Sequence, residues 1–371
     1  MDDGGIVAAR RRRILASWLL VVFAMVCAIV VIGGLTRLTH SGLSMVDWKP
    51  ITRWLPPLGE AAWGQAFHDY RQFPEYKELN VGMTLTEFKS IFLWEYTHRL
   101  WGRLIGIVFA VPFAYFLWRR WLDRALTMKF AVALVLGGAQ GGLGWYMVKS
   151  GLIDVPDVSQ YRLAAHLCLA LVISAYLLWL ALDQLHPGPA HAVTARVLRL
   201  PARVVVSLIF VTALTGAFVA GLDAGFAYNT FPLMAGALVP EGMLDIEPLY
   251  LNLFENITTV QFDHRVMAMT VLLATVWCWW CGRDAGLPRR AWRAVSLLML
   301  LAMLQVALGV SALLLLVPVP LASAHQACAL ALFAVSVWVV HETRRQPLRK
   351  RNTASTPGPE KISAVPINPL E

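Results

Sequence analysis

The chain has 371 residues, of which 58% are hydrophobic and 15% are charged, and its net charge is +9. Soluble domains carry charge at about a quarter of their positions, so this composition excludes an ordinary soluble protein. The positive charges form short clusters between apolar runs, which is typical of membrane topology and argues against nucleic-acid binding.

Eight apolar stretches are long enough to cross about 30 Å of hydrocarbon, which takes roughly 20 residues each. The first begins at Ile14, directly after MDDGGIVAARRRR, and is too long for the core of a signal peptide. The sequence therefore predicts an all-α polytopic membrane protein. Its helices are expected at 14–35, 91–118, 130–148, 162–183, 204–222, 257–281, 294–316 and 320–341.

Arginine and lysine predict the orientation of these helices. They concentrate at the start of the chain, at 119–129, 184–203 and 282–293, and after His341, whereas the loop 223–255 contains neither residue. The positive-inside rule then places both termini in the cytoplasm, and we expect a multi-pass protein of a bacterial inner membrane.

Two halves are expected, separated by a linker. Residues 60–79 of the outer loop mix aromatic and charged side chains, which suggests an amphipathic helix at the membrane interface. The C-terminal segment is basic and then rich in Pro, Ser and Thr, which favours disorder. The predicted parts are a cytoplasmic tail (1–13), an N-terminal four-helix bundle (14–183, with the outer loop 37–89), a cytoplasmic linker (184–203), a C-terminal four-helix bundle (204–341) and a disordered cytoplasmic tail (342–371).

An internal repeat supports this division. A duplicated four-helix unit would relate the halves by a pseudo-twofold axis along the membrane normal, because both halves contain an even number of spans. The matched segments are EYTHRLWGRL (95–104) with QFDHRVMAMT (261–270), Gln140 and Gly144 with Gln305 and Gly309, RLAAHL (162–167) with LASAHQ (321–326), and, more weakly, SGLS (41–44) with AGFA (224–227).

Four histidines stand near the outer ends of alternate spans, at His98, His166, His264 and His325. A neutral imidazole in hydrocarbon is costly unless it has a partner, and four at similar depth indicate metal or haem ligation. Facing helices of a bundle can hold a porphyrin between one imidazole from each side. We therefore predict two bis-histidine haem sites, one from His98 with His166 and one from His264 with His325.

Four arginines are candidates for binding haem propionates. Arg99 and Arg265 each follow a predicted ligand directly, and Arg103 and Arg162 lie about one helical turn from one. A buried guanidinium needs an anion, and a propionate would supply it. Snorkelling to the membrane interface is the alternative for Arg99, Arg103 and Arg265, and Arg103 could also pair with an acidic side chain.

The halves differ at Glu95, which lies on the same helical face as His98 and whose repeat partner is Gln261. A carboxylate on one side only suggests that the N-terminal half performs chemistry, in which Glu95 takes up protons or stabilises positive charge on a substrate. An ion pair of Glu95 with Arg99 or Arg103 is the alternative.

The five cysteines all lie in apolar stretches, so no disulfide framework is predicted in the outer loops. Cys278 and Cys281 form a C-x-x-C sequence near the cytoplasmic end of its helix. Two small buried residues are the simpler interpretation, and a redox or metal pair is the alternative.

With EYTHR (95–99), FDHR (262–265) and AHQ (324–326) in order, the chain resembles the haem A synthase family. The resemblance extends to the loops GGLTRLTHSGLSMVDWKP (33–50) and AGLDAGFAYNTFP (220–232) and covers about residues 15 to 342.

The resemblance implies oxidation of the C8 methyl of haem O to a formyl group by two successive hydroxylations and loss of water, which yields haem A for respiratory oxidases. It implies that His98 and His166 bind the substrate haem, that His264 and His325 bind a permanent haem b, and that Glu95 is catalytic.

No cysteine occurs in the outer loop 37–89, so the chain resembles the proteobacterial and mitochondrial subgroup that lacks a loop cysteine pair. The implied partners are membrane lipid, haem O synthase, cytochrome oxidase subunit I or its assembly factors, and an unidentified electron acceptor.

Two other functions fit parts of the pattern. A dihaem b-type electron-transfer cytochrome would have symmetric pockets, which the difference between Glu95 and Gln261 argues against. A haem transporter or delivery protein would also be compatible with the internal repeat.

Overall fold

The structure is a computed structural model that describes residues 3–46, 54–151, 158–188 and 190–344. Within these ranges the chain is helical with connecting loops, and eight helices are long and apolar enough to cross a membrane. The predicted all-α polytopic fold is confirmed. The disordered tail predicted at 342–371 lies outside the described residues from 345 onward. Residues 47–53 also lie outside them, and they include the end of the loop 33–50 that carries part of the family resemblance.

In chain order the α-helices are α1 (Asp3–Leu38), α2 (Glu60–Tyr70), α3 (Pro74–Glu78), α4 (Leu85–Trp118), α5 (Arg124–Gly151), α6 (Gln160–Leu185), α7 (Ala192–Gly221), α8 (Asn252–Glu255), α9 (Ile257–Arg283), α10 (Arg289–Leu314) and α11 (Val319–His341). The membrane-spanning candidates are α1, α4, α5, α6, α7, α9, α10 and α11.

Several of these helices are longer than their apolar stretches. α1 begins at Asp3 and α7 at Ala192. Residues expected in the N-terminal tail (1–13) and in the linker (184–203) therefore belong to these helices. An apolar stretch predicts only the part of a helix that suits hydrocarbon, whereas arginine and alanine, which are good helix formers, continue the helix beyond that stretch.

The eight spans pack as two bundles. In the N-terminal half α1 packs on α4 and α6, and α5 packs on the same two helices. In the C-terminal half α7 packs on α9 and α11, and α10 packs on the same two. The halves meet through α6 with α7, α1 with α11, and α6 with α11. Because α1 corresponds to α7 and α6 to α11, these contacts are those expected of a pseudo-twofold pair.

Close approach and indole hydrogen bonds hold the helices together. The Trp18 and Trp101 indole N–H groups of α1 and α4 donate across their interface to the carbonyls of Val108 and Met25, at 2.8 and 2.9 Å. At the junction of α1 and α11, a side chain on Gly34 would collide with Gln326. The absence of a side chain at Gly34 lets the Gln326 side chain lie against the α1 backbone, where it donates to the Val30 carbonyl at 3.0 Å.

The segment between α1 and α4 folds into a packed cap on the first turns of α4. Tyr70 of α2 and Phe88 of α4 are fully buried, and they cluster with Met45, Phe92 and half-buried aromatic side chains. A helix is present at Glu60–Tyr70, within the predicted amphipathic segment, and its place at the membrane interface stays a prediction. This cap brings the segment after α1 against the outer turns of α4.

Candidate haem and carboxylate site

The four predicted ligands lie on four different spans: His98 on α4, His166 on α6, His264 on α9 and His325 on α11. All four side chains are half-buried. His98 and His166 lie within electrostatic reach of each other, as do His264 and His325, so a positive charge on one ring would disfavour a positive charge on the other. The structure therefore brings the histidines together in pairs, one pair in each half.

A glycine on a neighbouring helix faces each imidazole ring. A methyl group on that glycine would lie 3.0 Å from the ring in three cases and 2.7 Å in the fourth. Contacts this short leave no room for a larger residue beside the ring without displacement of the imidazole. The pairs are His98 with Gly33, His166 with Gly144, His264 with Gly216, and His325 with Gly309.

Polar side chains contact three of the rings. Gln140 Nε2 lies 3.2 Å from His166 Nε2 and donates to the His166 carbonyl at 3.0 Å. Gln305 Nε2 lies 3.2 and 3.3 Å from the two ring nitrogens of His325. Among the described residues, the Oε1 atoms of both glutamines and Nδ1 of His166 are buried without a partner. Groups of this kind are expected where a bound molecule completes the site.

The hydroxyl of Thr215 lies 3.0 Å from Nδ1 of His264. Such a contact at one ring nitrogen sets the tautomer and directs the other nitrogen toward a ligand.

These residues fit haem. Each half supplies two imidazoles and a glycine against each ring. Among the described residues, no three or more His, Cys, Asp or Glu side chains cluster as a mononuclear metal would require. Two imidazoles without carboxylate or thiolate match the axial ligands of a haem iron.

Glu95 is buried, with 2% of its surface exposed, and three donors hold its carboxylate. The Ser44 hydroxyl and the Met45 N–H donate to Oε2, at 2.7 and 2.6 Å. Arg99 pairs with Oε1 and also donates to the Met45 carbonyl at 3.1 Å. A buried carboxylate is costly unless donors of this kind replace its hydration. The cap residues after α1 thus hold a carboxyl group one helical turn from His98.

Gln261 occupies the matching place in the C-terminal half. Its Nε2 donates to the carbonyl of Ala224 at 2.6 Å, and its Oε1 accepts from Arg265 at 2.9 Å. Arg265 also donates to the carbonyls of Tyr228 and Thr230, at 2.7 and 2.8 Å. This half has the same scaffold without a carboxylate.

The family model for cytochrome oxidase assembly proteins (COX15-CtaA) matches residues 16–337. The chain belongs to this family. Among curated relatives, the "Heme A synthase" of Nitrosospira multiformis is 50% identical over 334 residues, which is 90% of this chain and 94% of the relative. "Heme A synthase COX15" of Homo sapiens is 48% identical over 344 residues, or 90% and 84% of the two chains. The resemblance to the haem A synthase family is confirmed.

The arginines of this COX15-CtaA member lie in different surroundings. Arg99 is paired with Glu95, the alternative that the sequence left open, and the Nε of Arg265 is buried without a partner among the described residues. The guanidinium of Arg103 lies 5.3 Å from the Trp54 ring, and that of Arg162 lies 5.0 Å from the Tyr146 ring. Propionate binding stays a prediction for all four.

Sequence patterns miss two parts of this site. Ser44 and Met45 are assigned no role by their motif, because only the folded cap shows that they donate to a residue of α4. Gly33 and Gly216 are also missed, although they are separated by the same spacing as SGLS and AGFA. That shared spacing is the signal that would have identified them.

The cysteines add no ligand to this site. All five are free thiols; Cys278 is buried and Cys281 is half-buried, near the C-terminal end of α9. Their position agrees with the simpler interpretation of small packed side chains.

Proposed function

We infer from family membership that the chain is a haem A synthase, an oxidoreductase that converts haem O to haem A in the membrane. The 50% identity to a curated haem A synthase over 90% of the chain supports this function. Cytochrome oxidase requires haem A, which agrees with the description of the family as assembly proteins.

The N-terminal half is proposed to bind haem O as substrate between His98 and His166. Glu95 is the proposed catalytic residue, and its buried carboxylate, present in one half only, is the observation that supports this role most directly. A fixed negative charge beside the reacting methyl group stabilises positive charge that develops on carbon during oxidation. The same carboxylate can accept a proton during the two hydroxylations.

The C-terminal half is proposed to hold a permanent haem b between His264 and His325. When bound, haem b would supply one-electron transfer to an electron acceptor. Thr215 and Gln305 orient the two imidazoles, and Gln261 leaves this half without a titratable group near the ligands. The propionate candidates are Arg99, Arg103 and Arg162 in the first half and Arg265 in the second.

The proposed location is a bacterial inner membrane with both termini in the cytoplasm, since positive residues cluster on that side. The division into bundles 14–183 and 204–341, joined by 184–203, belongs to the same proposal. Haem O synthase is the proposed source of substrate, and cytochrome oxidase subunit I or its assembly factors are the proposed recipients.

A dihaem b-type electron-transfer cytochrome is the second candidate. The matching histidine pairs and glycine contacts in the two halves favour it. The charge difference between Glu95 and Gln261 favours the synthase.

Haem extraction with mass analysis distinguishes the two functions. The wild type, Glu95→Gln and the exposed-site control Glu78→Gln would each be expressed with haem O synthase. We expect haem b and haem A from the wild type and the control. Glu95→Gln should yield haem b and haem O at unchanged total haem, because glutamine has nearly the same shape without the charge. Only haem b from the wild type would establish the electron carrier, and haem A at the normal rate from Glu95→Gln would remove Glu95 from the reaction.

A further inference from the structure

A cleft of about 980 Å³ opens at the end of the N-terminal bundle opposite the cap. Its walls come from the first turns of α1, the connection between α4 and α5, the start of α5, and the end of α6 with the residues that follow it. Leu15 and Leu126 line it near the points where the apolar runs of α1 and α5 begin. The lining of this cleft is therefore partly charged and partly apolar.

Three basic side chains line the cleft from two different helices. Arg11 and Arg12 belong to α1 and Lys129 to α5, and all three are exposed. Within the part of the chain that the structure describes, none of them forms an ion pair with a carboxylate. The guanidinium of Arg11 lies 5.6 Å from the centre of the Trp121 ring, which also lines the cleft. These cations are available to an anion that enters between α1 and α5.

Two of the three carboxylates in the lining already have partners. Asp183 on α6 lies 3.0 Å from Nε2 of His341 and 3.9 Å from Nε of Arg344, a fourth basic residue of the lining. Asp123 accepts a backbone N–H in the first turn of α5 at 2.7 Å, as a helix-capping residue does. The third carboxylate is that of Asp3, at the exposed start of α1. The lining therefore keeps an excess of positive charge.

The matching position in the C-terminal half contains an ion pair instead. Ala125 of the cleft and Arg290 of α10 stand at the same distance before the matched glutamines, Gln140 and Gln305. The Nε of Arg290 lies 2.8 Å from Oε1 of Glu342. An alanine at this position of α5 occupies less space and brings no partner for the surrounding charges, so the cleft belongs to the N-terminal half.

A phosphodiester attached to acyl chains suits this lining. Arginine and lysine donate to phosphate oxygens, tryptophan favours the membrane–water interface, and leucine suits the first methylene groups of an acyl chain. Basic pockets between membrane-spanning helices on the cytoplasmic side bind anionic headgroups, and the positive-inside rule places this end in the cytoplasm. Topology alone requires basic residues here, but it does not require that they line a common cleft. A soluble phosphate would leave the apolar part of the lining unused.

We propose that this cleft binds the headgroup of an anionic phospholipid, such as phosphatidylglycerol, through Arg11, Arg12 and Lys129. The phosphate lies between α1 and α5, and the acyl chains follow the apolar surface of the same helices. Because α1 and α5 each pack on α4 and α6, the bound lipid adds a direct link between them. Binding is reversible and does not depend on the haem chemistry proposed above.

The test is native mass spectrometry of the purified full-length protein in detergent, titrated with phosphatidylglycerol or with phosphatidylcholine that has the same acyl chains. The wild type should bind one phosphatidylglycerol about tenfold more tightly than phosphatidylcholine. Arg11→Gln/Lys129→Gln should bind phosphatidylglycerol about tenfold more weakly, because two cations that face the phosphate are lost. The matched control Arg119→Gln/Arg124→Gln removes the same charge from exposed residues at this end that do not line the cleft, and it should match the wild type.

A second pair of variants tests the charge inside the cleft without removing a basic residue. Ala125 is exposed, so a longer side chain there does not disturb the core. Ala125→Glu should weaken phosphatidylglycerol binding, whereas Ala125→Gln, which has the same size without the charge, should retain it. The melting temperature of each lipid-free variant should equal that of the wild type, which separates loss of the cleft from loss of the fold.

Inorganic phosphate, added as a competitor to the wild type, distinguishes a lipid from a soluble ligand. It should leave phosphatidylglycerol bound, and displacement of the lipid by phosphate would reassign the cleft to a soluble phosphate and overturn the proposal. Equal affinity of the wild type for the two lipids would also overturn it. So would equal weakening in Arg11→Gln/Lys129→Gln and its control, or in Ala125→Glu and Ala125→Gln.

Discussion

The two halves of the molecule build nearly the same hydrogen-bonded frame above their histidine pairs. In each half an arginine, directly after a predicted ligand, donates both to a carbonyl of the outer loop and to the side chain one turn earlier. The matched groups are Arg99 with Met45 and Glu95, and Arg265 with Tyr228 and Gln261.

The halves differ in which group donates the hydrogen bond between the loop and the side chain of Glu95 or Gln261. In the N-terminal half the loop supplies donors, because the Ser44 hydroxyl and the Met45 N–H point at Glu95. In the C-terminal half the loop supplies an acceptor, the carbonyl of Ala224, to which Gln261 donates. Ala227 stands where the repeat would place the counterpart of Ser44. The comparison shows that the two halves share a hydrogen-bonded frame, while the buried carboxyl group and its donors belong to one half.

Removal of the histidines should produce the largest difference between the two halves, which we expect to lose different haems. We expect His264→Ala and His325→Ala to lose haem b, since an unpaired axial position weakens iron binding. His98→Ala and His166→Ala should keep haem b and lose substrate haem. Visible spectra with haem extraction would check this. A complete low-spin haem b spectrum in His264→Ala would reverse the assignment of halves.

Filling the glycine beside a ring should weaken haem retention in that half alone. A methyl group on Gly309 would lie 2.7 Å from His325, compared with 3.0 Å between Gly144 and His166. Overpacking of this kind costs about 1–3 kcal/mol, so Gly309→Ala should lose more haem than Gly144→Ala. The amount of haem lost from each variant during washing with detergent would show which of the two retains haem less well. Equal retention in the two variants would show that the rings move freely away from the added methyl group.

Removal of the hydroxyl that holds Glu95 should reduce activity without removing haem. Hydrogen bonds to charged groups contribute about 1.5–3 kcal/mol, and the Met45 and Arg99 donors remain, so Ser44→Ala should lower haem A formation about tenfold. The matched control is Ala227→Ser in the other half, which should leave the rate unchanged. If Ala227→Ser slowed the reaction as much as Ser44→Ala, the asymmetry between the halves would have no catalytic meaning.

The smallest effect concerns stability rather than catalysis. Burial in the cap raises the pKa of Glu75 on α3 from its ordinary value of 4.5 to about 7, so between these values the folded protein binds more protons than the unfolded chain. The free energy of unfolding therefore falls as pH rises through that window and is constant above it. Glu75→Gln should raise the melting temperature by a few degrees at about pH 8 and leave it unchanged at about pH 4, in thermal unfolding of the detergent-solubilised protein. The same increase at both pH values would exclude ionisation of Glu75 as its cause.

The sequence alone determined the number of spans and the contrast between Glu95 and Gln261, and it predicted the repeat and the pairing of the four histidines. It did so because the length of an apolar stretch, the positions of its flanking charges and the polar residues within it can each be recognised in a short segment of sequence. Helix ends were less predictable, since α1 and α7 continue beyond hydrocarbon through residues that favour helix without being apolar.

Only the tertiary structure decided which groups surround these residues. Ser44 and Met45 reach Glu95 from far along the chain, and Glu75 is buried only because the cap folds over α4. The same holds for the glycines against the imidazoles, whose contacts join different helices. A local pattern specifies which side chains an element presents, whereas burial and hydrogen bonding depend on which element packs against it.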